Sequence, residues 1–223
     1  RLEGTLSTQI QKDLQLTEET FQGFIGERFE ALLLSSRIVS ESPRLKSVVG
    51  IADVDHETVL FTTRELHRIV QSDLFTITDA QGKVLARIDA PEMYGDDLST
   101  SPGIREALRG QEHVGFVVRQ EKLYQVVTLP VVLGGVVEGV VSTGFEIDGR
   151  MADRIMRLTG GEIAFFANQK LVAFSGDQLA KARFEFLLAG LPEMTATPKP
   201  PVIQFLGEQY LTMVSPLMIR ETP

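Results

Sequence analysis

Apolar residues recur at spacings of three, four or seven over the first forty positions: Leu6, Ile10, Leu14, Phe21, Ile25, Phe29 and Leu32. That spacing draws one apolar stripe along a helix, so residues 2–40 are expected to form a single long one. At ~1.5 Å per residue it would reach roughly 55–60 Å, more than one module of ~100 residues can span. It must therefore run along more than one module or project beyond them. Ser42-Pro43 ends it, because the residue before a proline is pushed out of the α region. Residues 44–72 keep a helical pattern, with Val59, Leu60, Leu66, Ile69 and Val70 on one side.

From residue 74 the period changes to two. Strands are expected at 74–79 and 84–88 around a turn at Gln81-Gly82, and again at 113–119, 123–129 and 136–146. Between the second and third strands lie a loop at 90–103, rich in Pro, Gly, Asp and Ser, and a short helix at 104–109. Gly110 and Gly134-Gly135 punctuate the last three of these strands. A helix from Asp148 to Leu158 comes next, with Asp148 as its cap and Gly160-Gly161 as its stop. Strands at 162–167 and 171–175, a helix at 177–189, a Pro-rich loop at 192–201, and strands at 202–206 and 209–215 complete the chain.

The chain repeats itself. YQVVTLPVV at 124–132 matches YLTMVSPLM at 210–218, each with Tyr six positions before Pro. Upstream, DLFTITDAQGKVLAR at 73–87 matches EIAFFANQKLVAFS at 162–175. The two copies are offset by about 86–89 positions, so each is one small module with its own core. The first copy has a strand after its Tyr-to-Pro hairpin. The second has none before Pro223, and one closing strand is expected to be absent from it.

Composition changes the picture mainly by exclusion. The 223 residues carry a net charge of −8 and no basic cluster, so they lack the Lys/Arg patch that a nucleic acid or an anionic membrane surface would need. There is no cysteine, which removes disulfides and thiolate chemistry together. No apolar run is long enough to span a bilayer, and Arg1 at the start marks a piece of something longer. No pair of His56, His67 and His113 has metal-ligand spacing, and no nucleophile elbow or phosphate-binding loop occurs, so neither catalysis nor a cofactor is expected.

The order of elements, the hairpin LFTITDAQGKVLAR and the segment VVEGVVSTGFEIDGRMADRI resemble the double Cache sensor domains. The resemblance implies an α+β fold: a long N-terminal helix (1–43), a membrane-distal PAS-like module (44–147), a linker helix (148–160) and a smaller membrane-proximal PAS-like module (161–223) lacking its last strand. It implies the periplasmic or extracytoplasmic part of a bacterial transmembrane receptor, binding a small ligand and signalling to a cytoplasmic output. That output would be a histidine kinase, a chemoreceptor stalk, or a nucleotide cyclase or phosphodiesterase. It also implies a homodimer through the N-terminal helix, with the membrane reached only through flanking transmembrane helices.

Comparing the copies locates the candidate site. Tyr124 and Tyr210 match, as do Pro130 and Pro216, which favours scaffold over task. The contrasts are Arg87 against Phe174, Arg119 against Phe205, Thr128 against Val214 and Thr76 against Phe165. The first module is therefore expected to hold the ligand and the second to be filled. Arg87, Thr76, Thr128, Tyr124, Asp89, Phe116 and Arg119 are the candidate contacts, with Tyr94 as a lid in the 90–103 loop. A guanidinium fork suits a carboxylate, so a small organic acid or an amino acid is the expected ligand. The alternatives are that Arg87 and Arg119 lie on a solvated sheet face, that Glu92, Asp96 and Asp97 are simply a polar loop, and that the whole is an interaction or dimerisation domain without a ligand.

Overall fold

The computed structural model describes residues 2–51, 54–188 and 202–217. The long helix α1 (Leu2–Ser40) is followed by α2 (Pro43–Val49) and α3 (His56–Val70). Then come β1 (Leu74–Asp79), β2 (Val84–Arg87), α4 (Pro102–Leu108), β3 (His113–Arg119), β4 (Lys122–Leu133) and β5 (Val136–Glu146). The second half holds α5 (Gly149–Thr159), β6 (Ala164–Ala167), β7 (Lys170–Phe174), α6 (Gln178–Leu188), β8 (Val202–Phe205) and β9 (Glu208–Leu211). This is the expected α+β order. The Pro-rich loop at 192–201 lies outside the described residues. No described helix is long and apolar enough to cross a membrane.

Helix ends follow local chemistry. Asp55 and Asp148 accept hydrogen bonds from the backbone N–H groups of Thr58 and Met151, capping α3 and α5. Gly160 closes α5 at φ 75°, a left-handed conformation that costs glycine little.

Two compact units emerge. One gathers residues 27–117 and 124–146, the other residues 1–26, 118–123 and 147–223, so α1 contributes its first part to one and its last part to the other. In the first-named unit the sheet order is β2-β1-β5-β4-β3. Phe75, Ile77, Val127, Leu129, Val131 and Val141 are buried on one face of it. Helix α1 packs on that face. Phe29, Leu32 and Val39 are buried, and Ser36 Oγ lies 2.6 Å from Thr143 Oγ1. The other face is covered by α4, where Ile104 and Ala107 meet Val140. In the second unit β6 pairs with β7 and β8 with β9, as two separate hairpins. Phe21 of α1 touches Phe165 at 5.3 Å, and α6 buries Ala180, Phe184 and Leu187 against Ile203.

Two glycines in opposite situations test this packing. A Cβ on Gly139 would sit 2.5 Å from the Thr78 carbonyl oxygen, which the β1–β5 pairing fixes, whereas one on Gly23 in α1 would meet nothing within 4 Å. Gly139→Ala should therefore lower stability by about 1–3 kcal/mol, and Gly23→Ala should raise it by about 0.5–1 kcal/mol, read as opposite shifts of the urea midpoint.

An ion pair sets a pH dependence. Arg37 Nη2 lies 2.6 Å from Glu112 Oε2, and the hydrogen bond from Arg37 holds the Glu112 carboxyl below its ordinary range. A carboxyl lowered by folding contributes stability above its unfolded value and loses it as pH falls through the folded one. Both side chains are about half exposed, so Glu112→Gln should remove at most ~1 kcal/mol at neutral pH and flatten the acid side of a stability–pH profile by that amount.

Candidate ligand-binding site

Four polar residues stand side by side across the five-stranded sheet. Arg87 of β2 is registered with Thr76 of β1, Thr76 with Ser142 of β5, and Ser142 with Thr128 of β4. Registered partners share a face, so all four project to the side covered by α4. All are buried, and Arg87 is only 4% exposed. Thr128 Oγ1 and Ser142 Oγ are 3.0 Å apart.

Two β-bulges put them in line. Ile77 pairs with Ala86 but Thr78 with Val84, so Leu85 is an extra residue in β2. Val131 pairs with Gly139 but Val132 with Val137, so Glu138 is an extra residue in β5. Each insertion shifts the register by one and moves a side chain to the other face. Without the first bulge Arg87 would stand opposite Phe75, and without the second Ser142 would stand opposite Val127. The Leu85 carbonyl is met by His56 Nδ1 at 2.9 Å.

The 90–103 loop closes over β2. Arg87 Nη1 donates to Asp96 Oδ2 at 2.8 Å. Around that pair the backbone is pinned: Val84 N–H donates to Asp96 O, Gly95 N–H to Val84 O, and Leu98 N–H to Gly82 O. Arg87 Nε is buried and has no hydrogen-bond partner among the described residues. At the other end of the row, a Cβ on Gly103 would lie 3.3 Å from Thr128 Oγ1 and 2.7 Å from the His113 ring, so glycine there lets α4 approach the sheet. His113 Nδ1 is 2.6 Å from Glu106 Oε2.

Of the residues singled out from the sequence, the structure brings Arg87, Thr76 and Thr128 together. Tyr124 shares their face four residues along β4, in an apolar cluster with Leu74 and Val126. Phe116 makes an edge contact with Phe29 of α1 at 5.5 Å, which places it on the opposite face. Asp89 is exposed. Tyr94 is 55% exposed and stacks on His56 at 3.8 Å. Arg119 belongs to the other compact unit. Ser142, His113 and Glu106 complete the polar set and were not among the expected contacts. Alternation along 136–146 was the available signal for Ser142, but the bulge at Glu138 hides its partner.

The second unit is built to the same register with different side chains. Ala164 pairs with Phe174 and Phe165 with Ala173, then a shift makes Val172 the extra residue. The bulge of β2 is thus repeated, and the turn before it is one residue shorter. In consequence Thr76 corresponds to Ala164, not to Phe165, while Arg87 does correspond to Phe174. Where the first unit has guanidinium and hydroxyl, the second has Phe166, Phe174 and Tyr210 packed around Phe184 and Leu187. It is nevertheless not filled throughout. A cleft of about 910 Å³ lies between residues of α1, β6, α6 and the 210–217 segment. Beside it Arg183 pairs with Glu162, donates to Tyr210 Oη at 2.8 Å and lies over the Tyr210 ring.

The polar row can hold an anion by its chemistry: a buried guanidinium with a donor to spare, flanked by three hydroxyls. No group of described residues has the composition of a metal centre.

The chain matches the family model described as the double sensory domain of two-component sensor kinase over residues 7–219. Among curated proteins no relative matches. Among solved structures, the sensor domain of the Vibrio cholerae histidine kinase DctB aligns with TM-score 0.61 and 12% identity, over 97% of this chain and 94% of that one. The ligand-binding domain of the Pseudomonas aeruginosa amino acid chemoreceptor PctC, in complex with GABA, aligns with TM-score 0.56 and 15% identity, over 98% and 95%. The sensory domain of the Campylobacter jejuni chemoreceptor Tlp3, with isoleucine bound, gives 0.51 and 17%, over 93% and 86%. At such identities these likenesses establish the fold.

Removing Asp96 leaves the Arg87 charge buried beside an unmet donor, whereas removing Glu112 leaves Arg37 in water. Asp96→Ala should therefore cost about 1–3 kcal/mol, more than Glu112→Ala, and should speed amide exchange at Val84 and Gly95; equal costs for the two would contradict the burial argument.

Proposed function

The chain belongs to the double Cache family of two-component sensory domains, and on that premise we propose that it binds a small carboxylate, an organic acid or amino acid, on the Arg87 row. The family makes it a non-catalytic, extracytoplasmic sensory module of a membrane receptor. The observation that carries the ligand assignment is Arg87, buried to 4% exposure with its Nε unpartnered among the described residues, in register with Thr76, Ser142 and Thr128. A planar fork of donors recognises a carboxylate bidentately, and hydroxyls beside it adapt to the rest of the molecule. That related domains hold GABA and isoleucine supports the size and class.

Asp96 supplies the response. It already occupies one side of Arg87 from the 90–103 loop, so an incoming carboxylate must share or replace it. Segment 95–98 is tied to β2 by backbone bonds, which leaves the stretch from Ile88 to Tyr94 as the part free to follow. The ligand passes a signal only by favouring one loop arrangement over another, and the message goes on to a cytoplasmic output domain. Pairing of two copies through α1 fits this scheme. Leu34 and Ile38, one helical turn apart, are each 62% exposed on it.

Titration calorimetry against small carboxylates and amino acids tests the site. Arg87→Ala should weaken the best ligand by about thirtyfold or more, and Ser142→Ala by about three- to tenfold, with Arg87→Lys between them because it keeps charge but loses the fork. A ligand held equally by wild type and Arg87→Ala rules out this row. Sedimentation of Leu34→Glu/Ile38→Glu should show fewer dimers than wild type; unchanged association would place the pairing elsewhere.

A further inference from the structure

We infer that the second module accepts one further β-strand, lying between β6 and β9 and antiparallel to both. The inference rests on the two copies of the repeat and is independent of which ligand the first copy takes.

In the first copy β5 is the central strand. It pairs with β1 on one side from Leu74 to Asp79 and with β4 on the other from Tyr124 to Leu133. The counterparts of β1 and β4 in the second copy are β6, which carries the same hairpin bulge, and β9, which carries the matching tyrosine. Among the described residues β6 pairs only with β7, and β9 only with β8. One edge of each is therefore open, and these are the two edges that flank β5 in the first copy.

Three further observations agree. First, the cleft of about 910 Å³ is lined by Phe165 and Phe166 from β6 and by Tyr210 and Leu211 from β9, so both open edges border the same space. Second, β4 stays a strand for twelve residues alongside β5, whereas its counterpart is a strand only to Leu211; residues 212–217 carry no regular structure. A strand lasts only as far as it has a neighbour to bond, so the shortening is what loss of the central partner produces. Third, α1 borders the cleft through Leu14 and Phe21 and α6 through Phe184 and Leu187, one apolar layer on each side. This is the sandwich that surrounds β5, whose Val140, Val141, Ser142 and Thr143 are buried on both faces.

The lining also states what the occupant is. Apolar layers on both sides require a strand that is apolar on both faces, as in centrally buried strands, and not an amphipathic edge strand. Eight residues from Tyr210 to Leu217 offer roughly 25 Å of edge, and a proline in the middle of the occupant would forfeit bonds to one neighbour. Its chemistry is thus that of β5 itself.

The test appends the β5 sequence, residues 136–146, to Pro223 through a flexible Gly/Ser linker, which gives the strand a high effective concentration at the cleft. The control carries the same eleven residues in shuffled order. Amide hydrogen exchange should slow at least tenfold in both 163–167 and 209–217 in the extended chain, with a higher melting temperature, while the shuffled extension leaves all three unchanged. No slowing in either segment, slowing of one segment alone, or equal slowing by the shuffled control would each overturn the placement. Exchange in 74–79 should stay constant, which shows that the added strand has not displaced β5.

Discussion

Everything polar in the first module depends on the register of β5 between β1 and β4. A sheet face is decided residue by residue, and a slip of one position exchanges its whole content with the opposite face. The bulges at Leu85 and Glu138 each impose such a slip over part of a strand. Their combined effect is that Arg87, Thr76, Ser142 and Thr128 form one row, while Thr143, one residue away, turns to α1 and meets Ser36. The same two insertions therefore assemble a polar site on one face and preserve an apolar core on the other.

The two modules show what a shared scaffold does and does not determine. The repeated bulge, the matching tyrosines and the covering helices α4 and α6 hold the geometry in common. Side chains alone make the difference: guanidinium and hydroxyls in one copy, Phe174 and its neighbours in the other. A buried guanidinium needs directed acceptors, whereas an aromatic ring in the same place contributes by removing area from water. One copy is thus suited to selecting a polar molecule and the other to cohesion.

Periodicity made most of the fold legible. The length of α1, both caps of α5 and the limits of β3 and β5 follow from spacing, Asp148, Gly160 and glycine punctuation, all of which act within a few residues of where they are read. What stayed hidden depends on insertions that no pattern announces. Alternation correctly placed Tyr124, Val126 and Thr128 on one face, yet Ser142 opposite Thr128 required the bulge at Glu138. Phe116 was misjudged for a related reason: its face depends on a contact with Phe29, 87 positions away along the chain. The equivalence of Thr76 with Phe165 failed because a turn one residue shorter moves the match to Ala164.

The backbone bonds between segment 95–98 and β2 have a meaning apart from ligand capture. β2 is the outermost strand of its sheet, and an outer strand with a bare row of N–H and C=O groups invites other chains to add to it. Asp96, Gly95 and Leu98 occupy that row at Val84 and Gly82, and Lys83 and Asp97 form a bridge between them. The loop is thus also a fender against aggregation. Any rearrangement that lifted it completely would expose a sticky edge, which limits how far such a segment can travel in a protein that must remain dispersed.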